Sequence, residues 1–151
     1  MADFFEFEAD FVDSLRCIPM QVRYKLDTSG IKLKLSHWHQ MTEDERAALV
    51  ELPCRTETEI EAYQDYLQQL ILERTGNPAA KIPIDADPLW MDAGSVPASI
   101  QEKAQEMDTS LTLSQWASLT PLQRFALIKL SRPGHENKNF SRAMAEFNLV
   151  E

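Results

Sequence analysis

LSHWHQMTEDERAALVEL, Leu35 to Leu52, lies over LSQWASLTPLQRFALIKL, Leu113 to Leu130, at a shift of 78 residues. From Lys34 to Leu52, Leu35, Ser36, Trp38, Thr42, Arg46, Ala48, Leu49 and Leu52 meet identical residues, eight identities in 19 positions. Ordinary composition gives about one by chance. The match runs upstream without a gap, IPMQVRYK (Ile18 to Lys25) over VPASIQEK (Val96 to Lys103), so the chain holds two similar units, about 18–52 and 96–130, of 35 residues each.

The punctuation inside each unit is helical. Thr42 with Glu45, and Thr120 with Gln123, fit the capping box, in which a hydroxyl oxygen accepts an orphan backbone N–H and the third residue on reaches back. Pro121 suits a first helical position, where its missing N–H costs nothing. Ser36 and Ser114 are expected to cap the short turns that carry Trp38 and Trp116. Arg46 and Arg124 recur with those tryptophans, which predicts a guanidinium packed on an indole or tied to a backbone carbonyl. In the second unit Leu122 and Phe125 replace Asp44 and Ala47, so the helix from Pro121 is expected to be the more buried of the pair.

Between the units, Ile60, Tyr63, Leu67, Leu70 and Ile71 recur at helical spacing, with Thr56 and Thr58 each followed by Glu three residues on, giving a linking helix over about 57–75. Gly76-Asn-Pro78 stops it. Residues 77–97, punctuated by Pro78, Pro83, Pro88 and Pro97, read as an ordered loop packed by Leu89 and Trp90. The alternation Ile31-Lys-Leu-Lys-Leu35 and its short counterpart Ser110-Leu-Thr-Leu113 read as extended connectors or, at most, a short two-strand pairing. Residues 131–151 form a loop and a last short helix, capped by Ser141 and docked by Met144 and Phe147. The expected fold is therefore mainly α, one helical domain over 1–151.

At 151 residues and 17.3 kDa such a domain buries roughly 70% of the surface of its unfolded chain. A net charge of −9 argues against nucleic acid as a partner. No apolar run approaches the roughly 20 residues that span a bilayer. The opening MADFFEFEADFVDSLR carries five acids before its first base, unlike a secretory n-region, and a cytoplasmic location is expected.

Chemistry leaves little trace. The sequence has no glycine-rich phosphate loop, no HExxH, no nucleophile elbow and no CxxC. His37 and His39 stand about 200° apart on a helix, and the second unit has Gln115 and Ala117 in their places, so they read as solvent-facing or capping rather than metal ligands. Cys17 and Cys54 read as small core residues before a redox pair. No catalytic residue, metal or cofactor is expected, and an enzyme using His135 with Glu136 is the weakest of the readings. Two basic stretches stand out in the acidic chain: Arg16, Arg23, Lys25, Lys32 and Lys34 against Asp27, and Arg124, Lys129, Arg132, Lys138 and Arg142 against Glu136. They read either as solvated faces or as patches for an acidic partner or anion. The loop Arg132-Pro-Gly-His135-Glu-Asn137-Lys-Asn139 either caps the preceding helix or grips a partner. The candidate partner or anion-binding residues are thus Arg16, Arg23, Lys25, Arg132, His135, Asn137 and Asn139.

FEFEADFVDSLRCIPMQVRYKLD, GIKLKLSHW, ELPC and QRFALIKLSRPGHENKNF resemble the cyanobacterial nitrate-reductase-associated family, the NarM type. The resemblance covers both units and both ends, with no matched motif in residues 55–95. It implies a small, non-enzymatic accessory protein needed for active assimilatory nitrate reductase, with nitrate reductase as client and molybdopterin cofactor machinery as a further partner. It carries over no catalytic residues. The expected function is a maturation factor that binds the apo-enzyme or assists molybdenum cofactor supply. A small regulatory protein binding an anion or nucleotide in nitrogen metabolism is the alternative.

Overall fold

The computed structural model describes residues 5–8, 18–84, 88–131 and 137–149. They form eight α-helices, and no strand occurs among them. The described residues divide into two compact units, the first holding residues 8 and 18–84, the second holding 5–7, 88–131 and 137–149.

The first unit comprises α1 (Met20–Ser29), α2 (Leu35–His39), α3 (Glu43–Glu51) and α4 (Glu57–Thr75). Thr42 Oγ1 accepts the Glu45 N–H at 3.2 Å while Glu45 Oε1 accepts the Thr42 N–H at 2.8 Å, so the predicted capping box starts α3. Thr56 and Glu59 start α4 in the same way, at 3.1 Å in both directions. Helix α1 has Pro19 at its N-cap, which offers no side-chain acceptor. The carboxylate of Glu8, 1% exposed, fills that role and accepts the Met20 N–H at 3.0 Å, placing negative charge on the positive end of the helix. Helix α1 stops at Gly30, whose φ of +72° is disfavoured for side-chain-bearing residues. A Cβ there would also meet Ile84 Cγ1 at 2.6 Å and the Ile82 carbonyl at 2.9 Å. The close approach is a single antiparallel bridge from Ile31 to Lys81, with Lys32 N–H on Ala80 O and Ile82 N–H on Gly30 O, both at 2.9 Å. The alternating segment thus pairs with the loop after α4, and Leu35 and Leu113 already belong to helices. Val22, Trp38, Leu49, Leu67 and Ile71 are fully enclosed at the centre of this unit.

The second unit comprises α5 (Ala98–Glu106), α6 (Leu113–Ser118), α7 (Pro121–Leu130) and α8 (Asn137–Glu146), with a 3-10 turn at Leu89–Met91. Thr120 and Gln123 close the predicted capping box around Pro121. Six of the ten residues of α7 are buried against two of the nine in α3, as Leu122 and Phe125 predict. Met144 and Phe147 are both buried, docking the last helix, and the rings of Phe5 and Phe7 lie 5.1 and 6.3 Å from that of Phe147.

Three expectations need correction. Ser36, Ser114 and Ser141 lie inside helices, because each helix begins earlier than the serine-cap pattern suggests. For α6 the cap is Thr112, which exchanges hydrogen bonds with Gln115 at 2.9 and 3.1 Å. Trp90 packs edge-on against Phe125 with ring centroids 5.0 Å apart, whereas its neighbour Leu89 turns outward, 53% exposed.

Candidate functional site

Buried Glu8, Lys25, Tyr63 and Arg124 each bond main-chain atoms at a helix end. At the C-terminus of α3 the last carbonyls carry the negative end of the helix dipole and have no partner within the helix. Lys25, on α1, reaches in from the side: its Nζ donates to Val50 O at 2.5 Å and Leu52 O at 2.6 Å and lies 5.8 Å from the Tyr63 ring centroid. Tyr63 Oη donates to Leu49 O at 2.9 Å, so side chains from α1 and α4 together close the end of α3. Burial lowers the Lys25 pKa and raises that of Tyr63. The adjacent Cys54 is a buried thiol, 3.9 Å from Lys25 O, and burial pushes its pKa up to about 11, so it stays protonated at neutral pH.

The arginines close the ends of the two tryptophan helices. Arg46 Nε donates to Trp38 O at 2.9 Å and Nη2 to His39 O at 3.2 Å, with Cζ 5.7 Å from the indole centroid. Arg124 Nε donates to Trp116 O at 3.1 Å and Nη2 to Ala117 O at 3.0 Å, with Cζ 5.9 Å from the indole centroid. Arg124 Nη1 also holds Trp90 O at 3.1 Å, and Trp116 Nε1 donates to Asp92 O at 2.8 Å, so the turn at Leu89–Met91 is fastened through its backbone. Both predicted uses of these guanidiniums, stacking and carbonyl capping, therefore occur in each unit.

His37 also serves a helix end. His37 Nδ1 accepts the Lys34 N–H at 3.2 Å at the start of α2, and Gln115 does the equivalent work at the start of α6. Burial, then the nearby Lys34 charge, lowers the His37 pKa and favours the neutral ring that this bond needs. Among the described residues no group of three or more His, Cys, Asp or Glu is placed to hold a metal ion.

Of the candidate binding residues, Arg16, Arg132 and His135 lie outside the described residues, as does the side chain of Asn137, which opens α8. Cys17 lies outside them too. Arg23 is half-buried with its Nε on Ile18 O at 3.1 Å, and Lys25 is buried against α3. Asn139 is half-buried on α8. The structure does not bring Arg23 and Lys25 to a common surface, since each turns to a different set of main-chain carbonyls. The outer face of α4, where Asp65, Tyr66, Gln69, Leu72 and Glu73 are all exposed, is the complement of the apolar spacing that predicts the helix. Among the described residues no helix is long and apolar enough to cross a membrane.

No curated protein sequence and no solved structure matches the chain. The model of one family does, from residue 4 to residue 147, taking in the stretch 55–95 in which no motif is recognisable by eye. The chain belongs to the conserved nitrate reductase-associated protein family.

Proposed function

We propose that this chain is a non-enzymatic accessory protein of assimilatory nitrate reductase, acting in the cytoplasm, where it binds the apo-enzyme and assists its loading with molybdenum cofactor. The observation that carries the reading is the family match over nearly the whole chain. The use of the polar interior supports it: Glu8, Lys25, Tyr63 and Arg124 each bond main-chain atoms at helix ends, a framework role. A framework of this kind leaves binding to the surface, as expected of a protein whose work is to hold another. Deleting the gene should leave reductase polypeptide present but poor in molybdenum and activity, with both restored by the intact gene. A deletion strain with fully loaded, fully active reductase would end the proposal.

A further inference from the structure

We draw no further inference here: the strongest candidate, the surface patch of Leu89 and Met91 on the fastened turn of the second unit, leaves both side chains more than half exposed, and nothing in the structure shows what covers it.

Discussion

Arg46 and Arg124 occupy aligned positions, stack on aligned tryptophans and close the ends of aligned helices, yet one is half-buried and the other is buried. The difference comes from what surrounds them. Around Arg46, Asp44 and Ala47 face outward on α3, whereas Phe125 on α7 is fully enclosed beneath Trp90 and beside Arg124. Arg124 also holds the Trp90 carbonyl. One local arrangement therefore serves as a surface clamp in one unit and as a core fastening in the other, and the apolar neighbours decide which.

The strongest way to break the comparison is to remove both arginines in turn. Arg124→Ala strands three carbonyls, one buried and two partly buried, and should cost about 3 kcal/mol, against about 1 kcal/mol for Arg46→Ala. Chemical denaturation followed by amide exchange in each unit measures both, and equal losses would refute the distinction. A second contrast is titratable. Cys54 lies in the first unit, and residues 86–151 contain no cysteine. Its folded pKa is raised, so between its ordinary 9.0 and about 11 the folded chain holds a proton that the unfolded chain has released, and stability falls as pH rises through that window. Lys25, whose pKa is lowered, works in the opposite sense, so the thiol's contribution is read as the difference between the unaltered chain and Cys54→Ala. An unchanged alkaline slope in the variant would refute it.

The caps test where the units should agree. Thr42→Ala and Thr120→Ala should each cost about 1 kcal/mol, because both hydroxyls accept the same backbone donor in exposed settings. A loss confined to one of them would show that the second unit's burial reaches its cap. The smallest effect is expected at the short helices. The lowered pKa of His37 means that its stabilising bond is intact above the ordinary value of 6.5 and is lost as pH falls through the folded pKa. His37→Gln should remove this mild acid sensitivity, and Gln115→His should introduce it into the second unit, both visible as the pH dependence of amide exchange in α2 and α6.

What could be read from the sequence was local. Thr42 to Glu45, Thr120 to Gln123 and Arg124 to Trp116 are separated by three to eight positions, and residue type with spacing is enough to predict contacts of that range. The cap at Ser114 fails for an equally local reason: Thr112 with Gln115 offers a complete box two residues earlier. Lys25 reads as surface charge in the sequence because its partners, Val50 and Leu52, lie 25 and 27 residues away and the need it meets, the open end of α3, exists only once α1 and α3 have packed. The Ile31 to Lys81 bridge and the outward turn of Leu89 were hidden for the same reason.

The three tryptophans sit one in the first unit and two in the second, with Trp38 and Trp116 wholly enclosed beside a guanidinium and Trp90 half-enclosed on Phe125. They make the molecule its own optical reporter. Replacing Trp90 and Trp116 by phenylalanine leaves an emission that follows only the first unit, and replacing Trp38 leaves one that follows only the second. The indoles that fasten the helices thus also let the melting of each half be watched in its own colour.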